Sequence, residues 1–235
     1  MSELEVGGIQ VRINRKAIKN LHLSVYPPDG RVLIACPQST TDETLRLYIA
    51  SKVGWIKRQQ RLLRGKVRQS KRNYVTGETH YLLGKAYRLK VVPTDGKAVV
   101  ELKGKTQLLM HVRADATRET KADLLTEYYR KELKKIIEKM IADWSSRMQV
   151  QPGKWRVQMM KTKWGSCNPK TASLLFNLEL AKKPKHCIEY IVVHELVHLK
   201  ERLHTDQFVA HMDRYLPMWR SRKAALNVLP VGEMG

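Results

Sequence analysis

The sequence predicts an α+β protein, with a β-rich part over residues 1–113 that includes one basic helix and a helix-rich part over residues 114–235. Three observations carry that prediction. Turn residues cut the first part into short runs of strand composition, the hydrophobic period changes from two to 3.6 near residue 113, and a nearly continuous apolar run at 188–199 encloses two histidines. With 43% of its residues hydrophobic and 28% charged, the chain has the balance of a globular protein that buries a core.

Residues 10–14 and 21–26, the turn Pro27-Pro28-Asp29-Gly30 and residues 31–36 read as a small antiparallel sheet. Thr40, Thr41 and Asp42 can cap a helix over about residues 43–63, whose apolar face is expected to carry Leu45, Leu47, Tyr48, Val53, Trp55 and Ile56. Strand character resumes over 74–92 and 98–112, with Gly77, Gly84, Asp95-Gly96 and Gly104 as turns. Asp115 or Thr117 then caps a long amphipathic helix running through Leu124, Leu125, Tyr128, Leu133, Ile136, Ile137, Met140, Ile141 and Trp144. Beyond Pro152-Gly153, residues 154–161 and 173–180 are strand-like and 164–170 form a loop. Pro184 suits the first turn of a helix reaching about residue 200, apolar nearly all round and therefore buried. A second helix over about 205–225 turns Phe208, Met212, Leu216 and Trp219 inward. No internal repeat or low-complexity tract is visible.

The 44 Lys and Arg residues against 22 Asp and Glu leave a net charge of +22, so polyanions collect on the surface and nucleic acid is the first partner to consider. Lys52, Lys57, Arg58, Arg61, Arg64, Lys66, Arg68, Lys71 and Arg72 follow one another with no acid among them, the pattern of either a solvated helix end or a polyanion contact. Cys36, Cys167 and Cys187 are too widely spaced for a disulfide framework or a CxxC metal site. No basic stretch leads into an apolar run at the start, and no run is apolar for long enough to span a bilayer, so a reduced, cytoplasmic setting is expected.

The chemistry concentrates in His194-Glu195-Leu196-Val197-His198, an HExxH sequence inside a predicted helix. Imidazoles at i and i+4 leave one helix face a turn apart and converge on one cation, for which zinc is suited. Glu195 lies too far round to be a comfortable ligand but is placed as general base toward a zinc-activated water. Two histidines and a carboxylate facing a core without a metal would be costly to desolvate, which weighs against a purely structural reading. His204 is the strongest candidate for a third ligand, provided the helix stops before it; the turn is expected near residues 201–203, with Thr205 or Asp206 starting the next helix. In the metzincin pattern of the same spacing a glycine turns the chain, where this sequence has Glu201. His211, two turns beyond His204, is the runner-up, with a packed or supporting role as its plainer reading.

Lys163-Trp164-Gly165-Ser166-Cys167, Asn177, the block from Tyr190 through the HExxH histidines to Leu199, and His204-Thr205-Asp206-Gln207-Phe208 together resemble the YgjP-like metallopeptidases, related to the SprT-like and WLM groups of zincins. Weaker matches at Pro37, Trp55-Ile56, Tyr81-Leu82-Leu83-Gly84-Lys85 and Pro217-Met218-Trp219-Arg220 extend the resemblance over most of the chain. It implies a zincin-like catalytic half, with zinc bound by His194, His198 and His204. The SprT-like relatives act on proteins attached to DNA, which fits the charge.

Three further residues or segments have two readings each. Residues 173–180 are either an edge strand for an extended peptide or plain sheet core. Cys167 either approaches the metal or is a small buried residue, and Tyr190 either donates to a developing oxyanion or packs beneath the ligands. The favoured reading is a zinc metallopeptidase acting on protein or peptide. Its rivals are a metal-dependent hydrolase of nucleotides or phosphoanhydrides, and a non-catalytic nucleic-acid-binding protein whose structural zinc is closed by a fourth ligand such as Cys167 or His211.

Overall fold

A computed structural model describes residues 2–26, 29–64 and 72–228. The chain divides into two compact units, Met1–Arg68 and Gln69–Gly235.

In the first unit, β1 (Ser2–Val6) and β2 (Ile9–Lys16) pair antiparallel across Gly7 and Gly8, whose φ values of 59° and 75° suit a two-residue hairpin turn. The sheet is completed by β3 (His22–Tyr26) and β4 (Arg31–Pro37) in the order β1-β2-β4-β3. Sequence reading missed β1, in which Leu4 is the one fully buried residue. It also expected a wholly antiparallel sheet, whereas β2 and β4 run parallel at its centre because β3 is laid outside β4. Helix α1 (Asp42–Arg64) starts where the threonines predict: Thr41 Oγ1 accepts from Thr44 N at 3.2 Å. Leu45, Ile49 and Ile56 enter one core with Val11, Ile13, Val32 and Ile34. The expected apolar face was too wide, since Leu47 is 70% exposed and Trp55 39% exposed.

The second unit opens with β5 (Thr79–Leu82), β6 (Lys85–Pro93), β7 (Val99–Lys103) and β8 (Gln107–Val112), in the order β5-β6-β8-β7 with β6 and β8 parallel. Helix α2 (Arg118–Met148) follows, capped by Thr117, whose Oγ1 accepts from Thr120 N at 3.2 Å. This repeats the first unit's layout: four strands in the same order and sense, a two-residue turn between the first two, then a Thr-capped long helix. The sequence trace of the repeat is slight, little more than Thr41-Asp42-Glu43-Thr44 against Thr117-Arg118-Glu119-Thr120.

The composition shift near residue 113 therefore falls inside a compact unit, at the passage from sheet to helix. Leu89, Leu108, Met110 and Val112 of the second sheet share one core with Leu133 and Ile137 of α2 and with the helices beyond. Next come β9 (Trp155–Gln158), β10 (Gly165–Asn168) and β11 (Ser173–Asn177), then a short 3-10 helix, Leu178–Lys182. The order β10-β11-β9 makes β11 central, so the edge-strand reading of residues 173–180 gives way to the sheet-core one. The sheet's edges are β9 and β10, the second of which the Trp-Gly-Ser-Cys composition had disguised as loop. Helices α3 (Lys185–Val197), α4 (Asp206–Tyr215) and α5 (Trp219–Val228) complete the unit. The last two replace the single helix expected over 205–225, because Pro217 drives Leu216 out of helical geometry, to φ −139° and ψ 72°. No helix among the described residues is long and apolar enough to cross a membrane.

The β5–β6 turn sets the position of α3. Leu83 N donates to Ala181 O at 2.8 Å and Gly84 N to Lys182 O at 3.2 Å, just ahead of the Pro184 that opens the helix. Gly84 has a φ of +81°, and a Cβ there would stand 2.6 Å from Pro184 Cγ. Gly104, with a φ of +62°, has open space around the same position. Gly104→Ala should therefore cost only the left-handed penalty of about 1–2 kcal/mol. Gly84→Ala should cost clearly more, as read by denaturant melts of both variants.

Candidate metal centre

Helix α3 buries nine of its 13 residues, so it is held on several sides rather than along one stripe. His194 and Glu195 lie in its last turn, and His198 is its C-cap. The chain then leaves the axis through tight turns, with Lys200 N donating to Val197 O at 2.8 Å and Glu201 N to the same oxygen at 2.9 Å. Glu201 does the work of the glycine that the turn lacks: its Oε1 accepts from Leu203 N at 3.1 Å, and its carbonyl oxygen lies 3.1 Å from His198 Nδ1. That contact assigns the proton to Nδ1 and leaves Nε2 of His198 free to act as ligand. Thr205 caps α4, accepting from Phe208 N at 3.3 Å, and so places His204 at the head of that helix.

The three rings converge. His194 Nε2 and His204 Nε2 are 3.1 Å apart, and the ligand atoms of His194, His198 and His204 all lie within 4.8 Å of one another. Two nitrogens bound to one tetrahedral zinc at about 2.0–2.1 Å stand roughly 3.3 Å apart, so the donor set fits such an ion. Phe208 packs its ring against all three imidazoles, at centroid distances of 4.9, 4.8 and 4.6 Å. Burial, followed by the charges of His198 and His204, pushes the His194 pKa down to about 3. The ring is accordingly neutral, the form that binds a metal. His194 Nδ1 is buried and makes no hydrogen bond among the described residues.

Glu195 is 4% exposed, and burial raises its pKa to about 8, with Lys163 pulling the other way. Its carboxyl group lies directly against the backbone of β10: a Cβ on Gly165 would meet Glu195 Oε1 at 2.4 Å. The strand is fixed there by Asn177, whose Nδ2 donates to Met160 O at 2.8 Å and to Lys163 O at 2.7 Å, and whose N donates to Trp164 O at 2.9 Å. Sequence reading noted Gly165, Asn177 and Phe208 in the motifs and Glu201 in place of the metzincin glycine, without the contacts that give them their roles here. The lone glycine of the Trp-Gly-Ser-Cys block was the available signal.

Tyr190 is buried, packed edge-on to His194 at 5.7 Å and stacked on Trp219 at 6.3 Å, and burial raises its pKa to about 12. His211 stacks on Tyr215 at 6.1 Å and stands outside the group of converging ligands. Cys167 also stands outside it; burial, then the Glu195 charge, pushes its thiol up to about 11. Of the basic run, Arg72 lies in the second unit and lines a small cavity with Tyr129 and Glu179, away from the imidazoles. Lys66, Arg68 and Lys71 lie outside the described residues.

A family model described as YgjP-like, metallopeptidase domain, matches residues 19–228. No curated protein matches the chain. Among solved structures, the metallopeptidase zymogen jannalysin of Methanocaldococcus jannaschii is 20% identical, over 38% of this chain and 92% of its own, at a TM-score of 0.35. The metallopeptidase zymogen abylysin of Pyrococcus abyssi is 18% identical, over 43% of this chain and 90% of its own, at a TM-score of 0.32.

The contact between Gly165 and Glu195 gives a test by double-mutant cycle. Gly165→Ala should destabilise the protein when Glu195 is present and much less when Glu195 is alanine. The expected coupling is about 1–3 kcal/mol from chemical denaturation; additive effects would show that the two do not touch.

Proposed function

The chain belongs to the YgjP-like metallopeptidase family, and from that premise we propose that it is a zinc-dependent peptidase with Glu195 as its general base. The observation that carries the reading is the convergence of His194, His198 and His204 beside a buried carboxyl group. Zinc held there supplies a Lewis acid that makes water a stronger acid and polarises a substrate carbonyl. Three protein ligands are the number a catalytic zinc site uses.

The rest of the work falls to the chain's own groups. Glu195 accepts a proton from the attacking water and passes it to the leaving amine; a pKa raised toward neutrality suits both halves of that task. Asn177 and Gly165 hold β10 against the carboxyl, and the unpaired edge of β10 takes up extended substrate backbone as an added strand. Tyr190, set against His194, is proposed as a donor to the developing oxyanion. A cytoplasmic setting is proposed from the three free cysteines. Nucleic acid is proposed as an accessory partner.

One zinc per chain is expected by metal analysis, lost on changing His194, His198 or His204 to alanine and retained in His211→Ala. Loss in His211→Ala with retention in His204→Ala would reassign the third ligand. Glu195→Gln should keep the metal and the fold while slowing hydrolysis by at least about a hundredfold. Casein and a nucleoside triphosphate assayed in parallel test the substrate class, and turnover of the triphosphate alone would replace the peptidase reading.

A further inference from the structure

The first unit repeats the four-strand-and-helix layout of the second, yet its helix presents different chemistry. Counted from the capping threonines, Lys57 and Arg61 of α1 stand where Leu133 and Ile137 stand on α2. Those two α2 residues are fully buried in the second unit's core, while Lys57 and Arg61 are exposed. A helix face used for apolar packing in one copy is therefore a charged outer face in the other. Every charged residue from Thr44 to Arg61 is basic and exposed: Arg46, Lys52, Lys57, Arg58 and Arg61. Among the described residues none of these five forms an ion pair with an acid, although the same unit pairs Arg12 with Glu3 and Arg15 with Asp42.

Trp55, 39% exposed, projects from another side of α1 than Lys57, with Lys52 three residues before it and Arg58 three residues after it as its basic neighbours along the helix. A partly exposed indole on a surface of unpaired cations has a complement in an anionic chain that carries flat rings. Base stacking on an aromatic side chain combined with phosphate contacts is how single strands are held without sequence preference. A duplex keeps its bases stacked on one another and offers the indole nothing.

We propose that the exposed surface of α1, with Trp55 as stacking platform and Lys57, Arg58 and Arg61 as phosphate contacts, binds single-stranded nucleic acid. The site lies wholly in the first unit and stands whether or not the metal centre cleaves peptides.

Binding of a short oligothymidylate, heparin and a duplex to the full-length protein across a salt series tests this. Trp55→Ala should weaken oligothymidylate binding about tenfold and leave heparin, which has no bases, unchanged, while Trp55→Phe stays within about twofold of the original. Lys57→Glu, Arg58→Glu and Arg61→Glu together should weaken both ligands and flatten the logarithmic salt slope for the single strand by about 2. Oligothymidylate binding unaltered by Trp55→Ala, an equal loss for heparin, or preference for the duplex would each overturn the proposal. Should Trp55→Ala lose helical circular dichroism, the unaltered protein decides the matter. Oligothymidylate must then bind at least about tenfold more tightly than an abasic strand of equal length, and equal affinity refutes stacking.

Discussion

The constraint on which the second unit depends is that α3 is buried on nearly every side while it and its C-cap carry two glutamates and two histidines within ten positions, Glu189, His194, Glu195 and His198. A polar group taken from water must find a partner or be neutral, and each neighbouring element answers for one of them. Trp144 of α2 donates to Glu189 at 3.1 Å, and Arg222 of α5 pairs with the same carboxylate. The turn after α3 gives His198 the carbonyl oxygen of Glu201. Gly165 of β10 makes room for Glu195, whose raised pKa records what ionising it there costs. For His194 the arrangement supplies the imidazole of His204, two rings that share a need for one cation.

Much of this was legible in the sequence because it is local. The HExxH spacing fixes a helix face, and the turn before His204 follows from the angle that six further helical residues would sweep. Thr41, Thr117 and Thr205 announce three helix starts through the chemistry of their own hydroxyls. What was not legible depends on pairing between distant segments. Residues 165–168 form a strand because β11 lies beside them, and residues 173–177 are central because β9 lies on their other side. The break at Leu216 was readable from Pro217 and was passed over in favour of the apolar period.

The division of the chain shows the same limit. Composition changes near residue 113, yet the sheet before that point and the helix after it bury their apolar faces in one core. The recurrence of the four strands and capped helix left almost no trace because the layout needs only alternation, a two-residue turn and a cap, which many sequences satisfy. What differs between the copies is the outward helix face, apolar where it meets the catalytic elements and basic where it meets water. Function, on this account, lies in those faces and in the converging side chains rather than in the layout.

His194, His198 and His204 are proposed to share one metal and to leave its remaining position free of protein. Zinc-edge anomalous diffraction from crystals grown with zinc tests it most directly. A single peak is expected at bonding distance from the Nε2 atoms of the three histidines with no other side chain in contact; a peak closed by Cys167 or His211 as a fourth ligand, or none at this site, would refute the shared open site.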